Sequence, residues 1–415
     1  MKALLLITVG WGGFFIAVGS TFAQTWTQAT ASNLNWCSIA SSADGSKLVA
    51  AGSDSLGFVS IYTSADSGAS WNLQTNRLGA LSDSIAPSAD GTKLFAATYG
   101  AGQAPSVVYV STNSGATWVQ RFPASSDLGY ASIAASADGN TLVYATEAGL
   151  GVFISTNSGT TWELATNASN LSGRQWVGVR CSADGTKMAV EGGVGGNTVR
   201  LLTSTNSGSS WQMSFSAPGA FGWASSADGS KLFVWGSDLY VSTNWGATWS
   251  TNFIGWGGAL AGVGNGFNGG LACSADGSKS VAVLSGGIIK TSPDSGMTWV
   301  TNSAPVEEYD YAASSADGSK SVAVSQNQYP PPYVGGVWVS QSVPMPQLNL
   351  ASSSNGLAFS WIVPSTNFVL QENSNLTTTN WVTLTNTPAL NLSYLNNEVV
   401  LSPSNSSGFF RLMSQ

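Results

Sequence analysis

Histidine is absent from all 415 residues, so no triad can use imidazole as its base and no zinc site can be built on histidine ligands. Cysteine occurs three times, at Cys37, Cys181 and Cys273, an odd number with no paired spacing. Neither a disulfide framework nor a zinc motif is implied, and the three are expected to be buried small residues. Charge is scarce as well: Asp, Glu, Lys and Arg together make up 8% of the chain, against about 25% in an average soluble protein. With only 14 cationic side chains and a net charge of -7, the chain lacks the basic clusters that displace counterions from a phosphate backbone, which excludes nucleic acid as an expected partner. Long apolar runs are missing too. The stretch from Ala3 to Val18 is shorter than the ~20 residues a spanning helix needs, and Gly10, Gly12 and Gly13 interrupt it. Preceded by Lys2 and followed by the small residues Thr21 and Ala23, it reads as an export signal over 1–23, cut before Gln24. The expected mature protein is secreted, periplasmic or on the cell surface, without stable membrane insertion.

What the chain has in abundance is repetition. Ser-Ala-Asp-Gly begins at Ser42, Ser88, Ser136, Ser182, Ser226, Ser274 and Ser315, in steps of 46, 48, 46, 44, 48 and 41 residues. A period in the forties, with strand-like runs between turn signals, is that of a β-propeller blade, whose four-stranded sheet buries its faces only against neighbouring blades. In the second repeat, Ser84-Ile85-Ala86 is a short inner strand, Ala89-Asp90-Gly91 a hairpin turn and Leu94 to Ala97 the next strand. A third strand, Val107 to Val110, leads into Ser111-Thr112-Asn113-Ser114-Gly115-Ala116-Thr117-Trp118, with Trp118 opening the fourth. The same box ends at Trp71, Trp162, Trp211, Trp249 and Trp299.

These boxes resemble the Asp-box (BNR) repeat of sialidase-like, sortilin-like and photosystem II assembly-factor propellers. The resemblance covers six blades, with Asp66 and Asp294 in the diagnostic place and Asn113, Asn157, Asn206 and Asn244 replacing Asp elsewhere. In such a box the polar side chain caps the turn, the glycine takes the left-handed conformation and the tryptophan packs between strands. It is a folding device rather than an active site.

The seventh repeat has no box. Gly336 to Ser340 aligns with a third strand, and the pattern stops at Val343-Pro344-Met345-Pro346. Thr25-Trp26-Thr27-Gln28 resembles Thr117-Trp118-Val119-Gln120, and Trp26 precedes Trp71 by one period of 45 residues. The expected architecture is therefore all-β: a seven-bladed propeller over 24–345, closed by an N-terminal strand. Residues 346–415 lack both motifs, and their alternating runs predict a small antiparallel β-sandwich-like domain. Its Phe409-Phe410-Arg411-Leu412 ending resembles the C-terminal modules of secreted bacterial multidomain proteins.

Both repeated turns fall on one face of such a propeller, which leaves the variable loops and the central channel as the place for a ligand. Arg180 stands where six repeats have Ala40, Ala86, Ala134, Ala224, Ala272 and Ala313, and Glu191 stands where others have Ala, Val or Trp. Two readings follow, a structural pair or an anion-binding residue at the channel. Arg77, Arg121 and Arg174 are placed in the loops entering blades two, three and four; together with Arg180 they could hold an acidic partner, or lie solvated. Around blade seven, Glu307, Asp310 and Tyr311 are placed in the entering loop, with Tyr329 and Tyr333 in a proline-stiffened loop beside it. Carboxylates next to tyrosines suit a glycan or a cation, and equally an ordinary acidic loop. Trp256, in a glycine-rich loop from Ile254 to Gly270, is placed to cover the channel mouth or to pack.

Nine of the fourteen aspartates sit in the two repeated turns. The resemblance to sialidases would imply an Arg-Ile-Pro signature near the N-terminus; Arg121-Phe122-Pro123 echoes it only in part, in another repeat, so no catalytic residue is carried over. Two-carboxylate glycoside hydrolysis needs only a spaced pair, such as Glu307 or Asp310 facing Glu147 or Asp127. The leading expectation is a monomeric, non-catalytic binding or scaffold propeller for a glycan or protein, needing no cofactor or metal. The alternatives are a glycan-cleaving hydrolase and an assembly factor like that of photosystem II.

Overall fold

A computed structural model of the chain describes residues 7–8, 26–31, 34–53, 58–80, 82–98, 106–122, 131–146, 151–165, 175–193, 198–218, 222–235, 238–252, 270–284, 287–302, 304, 307, 309–325, 335–341, 348–353, 356–362, 368–374, 380–386, 388–391, 396–401 and 409–414. The architecture is all-β, a propeller of four-stranded antiparallel sheets. Seven of these sheets follow the repeat, and their innermost strands are Asn35–Ser41, Ser82–Pro87, Ala131–Ala135, Gln175–Cys181, Gly222–Ser225, Leu271–Cys273 and Tyr309–Ser314. Each inner strand touches the next, and the seventh touches the first, which closes the ring. Second strands such as Leu94–Thr98 and Leu142–Thr146 are buried along their whole length, because each sheet is covered on one face by the preceding blade and on the other by the following one.

The core is correspondingly divided into clusters between blades. Phe95, Val108, Phe122, Ile133 and Tyr144 fill one seam, and Val179, Met188, Val190, Leu202 and Trp211 help to fill the next. The last sheet takes its outer strand from the other end of the chain. Trp26–Gln28 pairs with Val337–Gln341, Trp26 opposite Ser340 and Gln28 opposite Trp338. Trp26 is buried among Val281, Val283, Ile289, Tyr309 and Trp338, so it also fastens blade seven to blade six.

Both repeated turns have a fixed chemistry. In Ser42-Ala43-Asp44-Gly45, the Ser42 hydroxyl donates to Asp44 Oδ1 at 2.6 Å and accepts the Lys47 amide at 3.0 Å, while Gly45 supplies φ +64°. In the boxes, Asp66 Oδ1 accepts the Ser70 amide at 2.8 Å and Oδ2 accepts the Ser70 hydroxyl. Asn113 does the same work with its amide reversed: Oδ1 accepts the Thr117 amide, and Nδ2 donates to the Thr117 hydroxyl. A hydroxyl can donate or accept, which is why Asp and Asn interchange at this position.

The residue before the box glycine is also left-handed: Ser67, Ser114, Ser158, Ser207, Trp245 and Ser295 have φ between 53° and 59°. The conformation aims its amide at the other turn of the same blade, as in Ser67 N–H to Ser46 O at 2.8 Å and Ser295 N–H to Ser278 O at 2.7 Å. The two turns are thereby zipped together on one face.

Neighbouring blades are linked on that face by two further rings. Alanine amides donate to alanine carbonyls from Ala43 to Ala89, Ala137, Ala183 and Ala227 in turn; the Asp228 amide takes the step to Ala275, which donates to Ala316, and Ala316 returns to Ala43 at 2.7 Å. The seven alanines pack against one another where this ring of bonds encircles the channel. Outside them, lysine side chains reach across the seams: Lys47 to Asp90 O, Lys93 to Asp138 O, Lys187 to Gly229 O, Lys231 to Asp276 O, Lys279 to Asp317 O and Lys320 to Ser67 Oγ. Six of the eight lysines in the chain are spent this way.

Beyond the propeller, strands Asn349–Ser353, Gly356–Ile362, Asn396–Leu401 and Ala389–Asn391 form one sheet. Phe368–Asn373, Val382–Thr383 and Phe409–Ser414 form another, in which Ile7–Thr8 pairs with Phe410 and Phe409. Phe359, Trp361 and Val399 from the first meet Leu370 and Phe410 from the second in a shared core.

Candidate functional site

Arg180 and Glu191 share one face of blade four. Arg180 lies opposite Ala189 and Glu191 opposite Gly178, so the two side chains are diagonal neighbours across the strand pair. They are joined through a third residue, Trp223 of blade five, rather than by direct contact. Arg180 Nη1 donates to Val179 O at 2.9 Å, Nη2 donates to Trp223 O at 3.1 Å, and its Cζ lies 4.8 Å from the centre of the Trp223 ring. Glu191 accepts the Trp223 indole N–H. Gly178 makes room for this: a β-carbon there would lie 2.7 Å from Trp223 Nε1 and 2.9 Å from Glu191 Oε2. Burial pushes the Glu191 carboxyl up to about 7, against the pull of Arg180 and the indole. Burial likewise lowers the Arg180 pKa from its ordinary value, with Glu191 opposing it.

Around blade seven, Tyr309–Ser314 is a strand, so Asp310 and Tyr311 belong to the inner wall of the blade rather than to its entering loop. Asp310 is buried and Tyr311 half-buried. Glu307 lies just before that strand. Its Oε2 accepts the Ser325 hydroxyl at 2.5 Å and the Trp338 indole at 2.9 Å, tying the approach to blade seven onto its second and third strands. Replacing Glu307 by Ala is expected to lower stability by about 1–3 kcal/mol, because Ser325 and Trp338 are buried and would lose their acceptor. Glu307→Gln, which keeps an acceptor oxygen, should lose clearly less in the same thermal-unfolding comparison; equal losses would remove this role.

Arg77 falls in the strand Asn72–Ala80, the outer edge of blade one, and not in a loop. Arg121 is exposed just beyond Val119–Gln120, its amide donating to Val108 O at 2.9 Å. Arg174, Trp256, Tyr329, Tyr333, Glu147 and Asp127 lie outside the described residues. Burial pushes the Cys181 and Cys273 thiols up to about 12, so both remain unreactive thiols near neutral pH; each is half-buried, and only Cys37 is fully buried. Among the described residues no group of three or more Cys, Asp or Glu is placed to hold a metal ion.

One cavity has no counterpart in any sequence motif. At the seam where blade seven meets blade one, a space of about 450 Å³ opens between the N-terminal strand and the first box. Thr27, Thr30, Asp66, Lys320 and Gln341 are among its walls. It arises where the outer strand of blade seven comes from the far end of the chain instead of through a box.

No protein-family profile matches the chain, and no curated protein matches it. Solved structures do. A structure described as YCF48 bound to D1 peptide superposes with a TM-score of 0.54 at 15% identity, over 80% of this chain and 100% of that one. YCF48 from Cyanidioschyzon merolae gives 0.54 at 15% identity, over 76% and 99%. Kuenenia stuttgartiensis hydrazine synthase gives 0.52 at 13%, over 74% and 96%. At such identities the likeness is one of fold, the β-propeller.

Proposed function

We propose that this is a secreted, non-catalytic binding or scaffold propeller that holds a protein partner on the face opposite the repeated turns. The observation that carries this reading is the spending of the boxed face. Its Asp, Asn, Ser and Lys side chains are bonded within the turns, between the turns and across the seams. Among the described residues little hydrogen-bonding capacity is left there for a ligand, whereas the connections between strands two and three and between strands four and one fall on the opposite face and differ in sequence from blade to blade. A protein partner is favoured over a glycan because one propeller of this shape is described with a bound peptide. The same observation supports a narrower version, an assembly factor like that of photosystem II. Against a hydrolase stands Glu307, whose Oε2 already accepts two hydrogen bonds from its own blade.

The test is a combined peptide and glycan array scored for both retention and product release. Wild type should be retained by peptides without turnover. A triple variant Trp256→Ala, Tyr329→Ala, Tyr333→Ala should lose at least tenfold in retention, while Asn206→Asp on the boxed face should leave it unchanged. Release of a cleaved glycan by wild type, abolished in a folded Glu307→Gln variant, would replace this reading with a hydrolase.

A further inference from the structure

At two seams of the channel edge a serine clips one blade to the next. Backbone groups of an inner strand that face the channel have no partner in their own sheet, and a serine of the preceding blade supplies one. Ser84 Oγ accepts the Ile133 amide at 3.1 Å and donates to Ile133 O at 3.2 Å; Ser132 Oγ accepts the Val179 amide at 3.2 Å. Blade four carries Gly178 at this register and has no hydroxyl to offer blade five. Arg180, two residues on, takes over by bonding the channel-facing carbonyls of Val179 and Trp223.

A guanidinium brings more than the clip needs. Two of its five N–H groups are used, by rigid backbone carbonyls, and one face is covered by Trp223. The plane of the group is therefore fixed. Arg180 is only partly buried, and its Nε–H makes no hydrogen bond and is not among the buried polar atoms left without a partner, which include Arg200 Nε, so it keeps access to solvent. No carboxylate of the described residues lies within 4.0 Å of it. Glu191, its nearest counter-charge, is held off by the Trp223 indole over Gly178.

We infer that Arg180, backed by Trp223 and flanked by Glu191, is a carboxylate-binding site in the channel wall, reached from the face opposite the alanine ring. The guanidinium fork matches a planar carboxylate with two parallel hydrogen bonds. A single cation beside an acid suits a monoanion better than a phosphate dianion. The inference deepens the proposed binding role by naming the group the site recognises, yet it stands or falls separately, since a small anion tests it without any partner.

Among the described residues, the titratable and charged groups around the site are Arg180, Glu191 and the neutral thiol of Cys273. Because burial holds the Glu191 carboxyl near 7, it is largely neutral at pH 6 and largely charged at pH 8. Bound carboxylate should therefore be weakened several-fold between those pH values, and Glu191→Gln should remove that dependence.

The experiment is a titration of the full-length protein, labelled with nitrogen-15 at arginine Nε, with sodium acetate against sodium chloride at constant ionic strength. Six arginines give six signals, and the Arg180 signal is assigned as the one missing in Arg180→Lys. If that variant does not fold, Gly178→Ala, which displaces Trp223, assigns it by its shift. The expected result is a saturable acetate shift of that signal, steeper at pH 6 than at pH 8 in wild type and equal at both in Glu191→Gln. A response to acetate no larger than to chloride overturns the inference. So does an acetate response spread evenly over the exposed arginines.

Discussion

Removing residues 24–30 is expected to abolish the cooperative thermal transition of the propeller rather than to trim it. The deletion takes away the outer strand of blade seven and uncovers the whole edge of Val337–Gln341. It also empties the place of Trp26, which is buried between blades six and seven. Trp26→Ala alone should cost about 3–5 kcal/mol, the usual range for deleting a buried tryptophan side chain. For a domain of this size that lowers the melting temperature by on the order of 10 °C. The deletion does more, since a blade without its fourth strand cannot cover its neighbour. A truncated protein that melts cooperatively within a few degrees of wild type would show that the alanine and lysine rings hold the circle by themselves.

Acid should unfold the propeller steeply, between about pH 4 and pH 2. Asp44, Asp90, Asp138, Asp184 and Asp276 are pushed up by burial, but hydrogen bonds from the serine two residues before and from the amide two residues after outweigh that and leave each below its ordinary value of 3.8. In the boxes Asp294 is lowered in the same way, and Asp66, held chiefly by the Ser70 hydroxyl, falls to about 2. A carboxyl depressed on folding contributes stability that is complete above its unfolded value and is lost as pH falls through the folded one. Seven such groups acting in one ring make the loss cooperative. Glu191 runs the other way. Raised to about 7 from 4.5, it contributes stability below 4.5 that is lost as pH rises through 7, so the most stable point should lie at about pH 4–5. Melting temperatures from pH 2 to pH 8 give the whole curve. Glu191→Gln should flatten its neutral limb and leave the acid limb unchanged, whereas an acid limb absent in wild type would contradict the role given to the turns. Asp66→Asn should be nearly silent at pH 7, because Asn113 already does the same work one blade on.

Most of the architecture was legible because turns are local. A Ser-Ala-Asp-Gly turn and a tryptophan box each satisfy their own backbone within a few residues, so their spacing along the chain measures the blades directly. The N-terminal closing strand was legible for the same reason, as Trp26 keeps the period of Trp71. Contacts between blades were not. The lysine five places after six of the seven repeated serines recurs plainly in the sequence, yet its bond to the next blade depends on how two sheets lie side by side. Left-handed Ser67 or Trp245 carries no local signature, since neither residue type favours that conformation.

The candidate site divides along the same line. Arg180 departs from an alanine register and Glu191 stands where other repeats have Ala, Val or Trp, but their link runs through Trp223, more than thirty residues from either, and through the missing β-carbon of Gly178. Tyr309-Asp310-Tyr311 carries a charge in the middle of what the structure makes a strand, with Asp310 inside, so local composition points to a loop where the fold has an inner wall. Arg77 lies on a strand rather than in a loop because the fourth strand of blade one runs nine residues, far longer than its counterparts in blades two and three, a length the repeat spacing does not show.

The central claim is that one face is consumed by the fold and the other binds. Hydrogen exchange of the full-length protein with and without a peptide captured from the array addresses it most directly. The account predicts new protection in the segments 99–105, 166–174, 253–269 and 326–334, and none in the Ser-Ala-Asp-Gly turns or the boxes. Protection confined to those turns, with the loops unchanged, would contradict it.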